Sequence, residues 1–299
     1  MNKTKKILCG VLASVIAVSV FAGCGKKENT IVVGSKNYNE ALILGNMFAS
    51  IIENNTNLNV ERKLNLGGTS VVTEAMKSGE IDLYPEYTGT AYGNIMKKAD
   101  TKDPDEVYEE VKEYYDEKFD ITWLEPLGYN NTYAMAVRKE TADEYNLKTV
   151  SDLAKVSNEL SLGCSFEFVD RADGYAGLKE EYEGMEFNDV KSLDGGLRYQ
   201  SVASEKTDVV DAWTTEGMLK KFELIVLDDD KGFFPPYYVA PTVRNTTIEK
   251  YPEVGEQLDK LGGLINEEAM IDLNYQVDVE GADPKQVADD FLREKGLID

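Results

Sequence analysis

Short apolar runs of strand length alternate with segments whose apolar residues recur at helical spacing, from residue 31 to the end of the chain. Residues 31–34 read as a buried strand. Residues 39–54 follow as a helix with Leu44, Phe48, Ile51 and Ile52 on one face. Residues 58–64 return as a strand. The turn Gly67-Gly68-Thr69-Ser70 opens a second helix, with Thr69 or Ser70 as its cap and its end near Gly79. Residues 81–83 form a short strand, and Asp103-Pro104 starts a helix with Val107, Val111, Tyr114 and Tyr115 as its apolar stripe. Strands are expected at 121–127, 133–137, 160–165, 209–213 and 224–227, and helices at 149–156 and 174–182. The end is helical over 252–265, 267–275 and 284–295, the last capped by Asp283 with Val287, Phe291 and Leu292 buried. Such a succession builds an α/β architecture with mixed, mostly parallel sheets. No internal repeat interrupts it.

The N-terminus fixes where the chain works. Lys3, Lys5 and Lys6 precede an apolar run from Ile7 to Phe21, and Ala22-Gly23 stand directly before Cys24. This is a signal peptide over residues 1–23, too short for a comfortable membrane span. Its end resembles a bacterial lipobox, with Phe21 departing from the more usual Leu or Val. The expectation is lipid attachment at Cys24, and a mature chain on the extracytoplasmic face of a Gram-positive cell membrane. Cys164 is then the single mature thiol, so no intramolecular disulfide supports the fold.

Two bulk properties exclude whole classes of function. The net charge is −23, and becomes −26 without the three leader lysines, which leaves no nucleic-acid partner. An acidic surface of this kind keeps a secreted protein soluble and mildly favours a cationic solute. The chain contains no histidine. Ser-His-Asp and Cys-His nucleophiles, histidine acid–base chemistry and histidine metal sites are therefore absent. A single mature thiol removes cysteine-based zinc sites too. No catalytic residue, metal or cofactor is expected; a carboxylate-based secreted hydrolase is the enzyme alternative.

The glycine turn at 67–68 lacks both the P-loop and the dinucleotide spacing, so it reads as a tight strand-to-helix turn. Asp228-Asp229-Asp230, followed by Lys231-Gly232, reads as a solvated turn. The aromatic residues are more specific. Tyr84-Pro85-Glu86-Tyr87-Thr88-Gly89-Thr90 is turn-rich and follows a strand. Tyr133 follows Asn130-Asn131-Thr132, and Trp213 ends a strand. Phe233-Phe234-Pro235-Pro236-Tyr237-Tyr238 carries two prolines that forbid a regular ladder. Strand ends are where open α/β sheets bind ligands, and aromatic faces together box a quaternary ammonium.

At these segments the mature chain resembles the substrate-binding proteins of osmoprotectant ABC importers. The resemblance is carried by Gly34-Ser35-Lys36-Asn37, Leu66-Gly67-Gly68-Thr69, Ile81-Asp82-Leu83-Tyr84-Pro85-Glu86-Tyr87-Thr88-Gly89-Thr90, Asn131-Thr132-Tyr133-Ala134, Arg171-Ala172-Asp173-Gly174-Tyr175 and Phe233-Phe234-Pro235-Pro236-Tyr237. It implies a two-lobed, type II periplasmic-binding-protein fold. Lobe one would take residues 31–130 plus 240–299 and lobe two 131–239, with hinge crossings near Asn131 and Tyr238. It further implies a monomeric partner of ABC permease subunits that binds glycine betaine, carnitine, choline or a similar compound. Its aromatic cage maps onto Tyr87, Tyr133 and Tyr237, with Trp213 where tyrosine is usual. A carboxylate clamp maps onto Lys36, Thr90 and Arg171, and Ala41 stands where many relatives carry glutamine. The alternative within the same fold is a binder of choline only, or of another small solute such as an amino acid.

Overall fold

A computed structural model describes residues 29–98, 103–166, 168–169, 174–193 and 195–299. The leader, Cys24 and Arg171 lie outside the described residues. Among the described residues ten strands form two five-stranded sheets. The first contains β1 (Thr30–Gly34), β2 (Asn59–Lys63), β3 (Leu83–Tyr87), β4 (Ile121–Trp123) and β10 (Val239–Arg244), in the order β2-β1-β3-β10-β4. The second contains β5 (Tyr133–Val137), β6 (Ser161–Ser165), β7 (Asp189–Leu193), β8 (Val209–Trp213) and β9 (Ile225–Val226), in the order β7-β6-β8-β5-β9.

Both sheets are mixed. β1 runs parallel to β3, whereas β10 runs antiparallel to both β3 and β4. β6 runs parallel to β7 and β8, whereas β5 runs antiparallel to β8 and β9. Each sheet thus has one strand that opposes both its neighbours. Those two strands, β5 and β10, are the first that the chain enters after leaving the other sheet.

Burial explains why these segments adopt these elements. The helix Asn39–Asn55 buries Ile43, Leu44, Met47, Phe48 and Ile51 against the first sheet and the helix Pro284–Glu294, which contributes Val287, Phe291 and Leu292. Burying one such side chain fully is worth about 1.5–3 kcal/mol. The second sheet has its own core around Met135, Val137, Leu153, Leu162, Phe168 and Leu178. Side-chain caps close the helix starts. Asp103 accepts from the amides of Asp105 and Glu106, both at 3.0 Å, with Pro104 in the first turn. Asp283 does the same for Lys285 and Gln286, and Thr149 forms a reciprocal capping box with Asp152.

Two sequence expectations are revised, and a third, the exposed turn at Asp228–Asp230, gains a structural role. The run Leu83–Tyr87 is a fully buried strand, not a turn-rich segment after one. Pro85 is accommodated because it stands opposite Pro241 on β10 and past the Val33–Leu83 pairing with β1. The second helix begins at Thr69 with Gly68 as its cap, and no side chain closes it. The Asp228–Asp230 triplet is a built connection. Asp229 accepts from the Tyr182 hydroxyl and from the Phe234 amide, and Asp230 accepts from the Ser151 amide. These bonds tie the Phe-Phe-Pro-Pro loop to the second core.

Cys164 is a buried free thiol in β6. Burial and the neighbouring Asp211 push its pKa up to about 12, with Arg198 opposing in part. The thiol therefore stays protonated throughout the physiological range. In the chain starting at Gly25, whose sole cysteine is Cys164, a thiol-reactive chromogenic disulfide should find no fast-reacting thiol at pH 8. One equivalent should react after denaturation; rapid reaction of the native protein would contradict this burial.

Candidate functional site

One cavity of about 720 Å³ collects most of the aromatic and polar residues that the sequence singled out. Its lining includes Lys36, Tyr87, Thr90, Trp213 and Tyr237, five of the seven candidate ligand contacts. Tyr87 ends β3, Trp213 ends β8, and Tyr237 stands two residues before β10. Strand ends of both sheets therefore supply the walls, as expected for an open α/β site.

Trp213 is the central wall. Its ring stacks on Tyr133 at 3.9 Å between centroids and 26° between planes, and meets Tyr237 edge-on at 5.8 Å and 85°. The Tyr133–Trp213 stack follows from register, since the two residues are directly paired on β5 and β8. Tyr133 is 5% exposed and stands outside the cavity lining, covered by Trp213 and packed against Phe168 at 5.3 Å. It supports the wall from behind. Tyr38, which the sequence reading passed over, does line the cavity and lies 6.3 Å from Tyr87.

The Trp213 backbone is also held. Its amide donates to Glu216 Oε2 at 3.0 Å. Arg198 grips the same carboxylate with bonds of 3.0 and 2.9 Å, while its Nε lies 3.1 Å from Asp211 Oδ1. Tyr199 donates its hydroxyl to Glu216 as well. Burial raises the carboxyl pKa of both Asp211 and Glu216, with Arg198 opposing the shift. Arg198 thus shares its one positive charge between two carboxylates behind the wall.

On the facing side, Gly89 allows a close approach. A Cβ there would stand 2.7 Å from the Pro236 carbonyl oxygen and 2.8 Å from the Tyr237 ring. The Tyr-Thr-Gly-Thr turn and the Pro-Pro-Tyr segment can touch only because position 89 carries no side chain. Thr88 reinforces the contact: its amide donates to the Tyr238 carbonyl at 2.8 Å, and its hydroxyl accepts from the Tyr238 amide at 3.0 Å.

Two carboxylates organise the floor. Glu86 is fully buried and accepts from Lys36 Nζ, from the Tyr84 hydroxyl at 2.9 Å and from the Tyr87 amide at 2.7 Å. The Lys36 ammonium, 5.3 Å from the Tyr87 ring centroid, is therefore already paired. Glu40, 5% exposed, accepts five hydrogen bonds. Tyr87 and Tyr129 hydroxyls reach Oε1 at 2.7 and 2.9 Å, and Asn131 Nδ2 at 3.0 Å. The Thr215 hydroxyl and Asn274 Nδ2 reach Oε2, each at 2.7 Å. Burial and Glu40 hold the Tyr87 phenol well above its ordinary pKa, so it remains a donor. The sequence gives no sign of this role, because Glu40 is one acid among 55. Its neighbour Ala41 is fully buried in the core and is not part of the lining.

Among the described residues no cluster of histidine, cysteine or carboxylates could hold a metal ion, and no helix is long and apolar enough to cross a membrane. The cavity offers aromatic faces, hydroxyls, amides and side-chain charge already engaged in hydrogen bonds.

Residues 29–294 match the family model described as the substrate binding domain of an ABC-type glycine betaine transport system. The chain is 40% identical over 91% of its length to the ergothioneine transport permease/ergothioneine binding protein EgtU of Helicobacter pylori, but spans only 48% of that longer protein. It is 35% identical to the carnitine transport binding protein OpuCC of Listeria monocytogenes, covering 92% of this chain and 90% of that one. A solved structure of a glycine betaine/carnitine/choline ABC transporter component superposes with a TM-score of 0.86 at 35% identity, over 90% of this chain and all of the other. The α/β fold is thus that of periplasmic binding proteins, and the chain belongs to the family of substrate-binding domains of ABC-type glycine betaine transporters, an extracytoplasmic component of an importer and not an enzyme.

Proposed function

We propose that this protein captures a quaternary ammonium compound in the cavity walled by Trp213, Tyr87 and Tyr237, with Tyr133 stacked behind Trp213, and delivers it to an ABC permease. The observation that carries the reading is the convergence of aromatic strand ends from both sheets on one 720 Å³ cavity. An aromatic face contributes up to about 2 kcal/mol to binding a desolvated cation, and indole is the strongest such face. A micromolar affinity requires about 8 kcal/mol, so the cage needs help from polar contacts. Lys36, Thr90 and Arg171 are assigned to the carboxylate of a betaine; the first two line the cavity. Since Glu86 shares the charge of Lys36, the clamp acts mainly through hydrogen bonds, worth about 1.5–3 kcal/mol each to a charged partner.

Lobe one is assigned to residues 31–130 plus 240–299 and lobe two to 131–239. The sheet membership supports this division, as does the pairing of Asn130 with Tyr238 where the two strands pass between sheets. Closure of the lobes on the ligand would present the state that the permease recognises. The mature protein would be a monomer anchored by lipid at Cys24 to the membrane of a Gram-positive bacterium.

The cavity's size favours a ligand larger than glycine betaine, since 720 Å³ lies in the range of sites for drug-sized molecules. Carnitine fits this description. So does ergothioneine, a trimethylammonium betaine with an imidazole-thione body, whose binding is named for the Helicobacter relative. Calorimetry on the purified chain should show carnitine, ergothioneine and glycine betaine each binding more tightly than choline, by about tenfold for one net hydrogen bond's worth of affinity. Choline binding more tightly than all three would contradict the clamp. Trp213→Ala should weaken every trimethylammonium ligand by at least about tenfold through loss of the cation–π face. An unchanged affinity in that variant would remove the cage.

A further inference from the structure

The hydrogen bonds of Glu40 join parts of the chain that are far apart in sequence. Tyr87 and Tyr129 belong to the segment that builds the first sheet, and Asn131 lies on the first passage between the sheets. Thr215 follows β8 of the second sheet, and Asn274 lies on the helix Glu267–Asp278 near the C-terminus. Thr215 and Asn274 are also bonded directly, Nδ2 of Asn274 donating to the Thr215 carbonyl at 2.8 Å. The next residues continue this contact: a Cβ at Gly217 would stand 2.7 Å from the Tyr275 backbone, and Lys220 pairs with Asp272 at 2.7 Å.

We infer that Glu40 is a positioning residue that holds the two lobes closed over the cavity, so that it sets the affinity for every ligand without choosing among them. The inference rests on the two-lobe reading given above. All five partners donate to it in the structure, and a carboxylate, with lone pairs on both oxygens, accepts from all of them at once. Taking the carboxylate away leaves buried donors unpaired on both sides of the passage, and opening is the way they regain water. A ligand that binds only the closed form sees its apparent affinity fall in proportion to the closed fraction. That factor is the same for a betaine and for choline, because it does not depend on what the ligand touches. Loss of a cage wall or clamp residue would instead change the ratios between ligands.

Glu40→Gln tests this with nearly unchanged shape. Its amide places N–H groups against Asn131 Nδ2 or Asn274 Nδ2 in either orientation, and the Asn274 amide is fixed by its second bond to Thr215. Thr215→Val removes the donor that follows the second sheet, at a side chain that, like Glu40, lines the cavity, so the comparison across ligands is what separates positioning from contact. Both variants should weaken choline, carnitine and glycine betaine by one common factor, about tenfold if the closed fraction falls to a tenth. Small-angle scattering of the ligand-free variants should show a larger radius of gyration than the parent chain. Unequal factors across the three ligands would overturn the inference and make Glu40 a contact for the cation. An unchanged radius, or a silent Thr215→Val beside a damaging Glu40→Gln, would overturn it too, since Glu40 would then act only by orienting Tyr87. If the parent chain binds none of the three, the reading of the ligand fails, while the scattering comparison still decides the role of Glu40.

Discussion

Five donors converge on one buried carboxylate, and much of the site's geometry depends on that convergence. Glu40 fixes the hydroxyl of the Tyr87 wall and ties it to Tyr129, to the chain passage at Asn131 and to the segment after Trp213. A buried carboxylate is tolerated when hydrogen bonds replace its lost water. Here those bonds come from side chains that must stand where they do for the cavity to exist. The same logic recurs at Glu86, which accepts from Lys36, Tyr84 and the Tyr87 amide, and at Glu216, which holds the Trp213 amide and is paired with Arg198. The Tyr87 and Trp213 walls are thus each set by a carboxylate, whereas the Tyr237 amide is held by Asn130.

This arrangement separates two tasks. The apolar faces that meet a quaternary ammonium have no hydrogen-bonding freedom to give, so the specificity of the cage lies in shape and π-face. The carboxylates of Glu40, Glu86 and Glu216 orient the rings through their hydrogen bonds. Acid residues around a cation site add a favourable field as well, but most of that charge is already committed to tyrosines, amides, Lys36 or Arg198. In the proposed binding mode the preference for a cation rests on the rings more than on the chain's large negative charge.

Much of this was legible in the sequence. The alternation of strands and helices specified the α/β class, and the strands at 133–137 and 209–213 carry the register that stacks Tyr133 on Trp213. The caps at Asp103 and Asp283 were readable because Pro follows each directly. The strand Leu83–Tyr87 was not, because Pro85 is a breaker unless a particular partner strand accommodates it, and Pro241 is 156 positions away. Tyr133 stands outside the cavity lining, since spacing fixes which ring is near a strand end but not which of two stacked rings faces the cavity. Glu40 left no local trace at all. Its partners are spread from residue 87 to residue 274, and only the fold brings them together.

In the proposed binding mode aromatic faces hold the positive charge of the ligand, and not merely its volume. The direct measurement uses the emission of Trp213 in a Trp123→Phe background, where Trp123 is 1% exposed and packed in the first sheet's core. Titration with choline and with its neutral isostere 3,3-dimethylbutanol compares the same shape with and without charge. The account predicts a saturable change with choline, and binding weaker by at least about tenfold for the isostere, which forgoes the cation–π contribution. Equal binding of the two would contradict it.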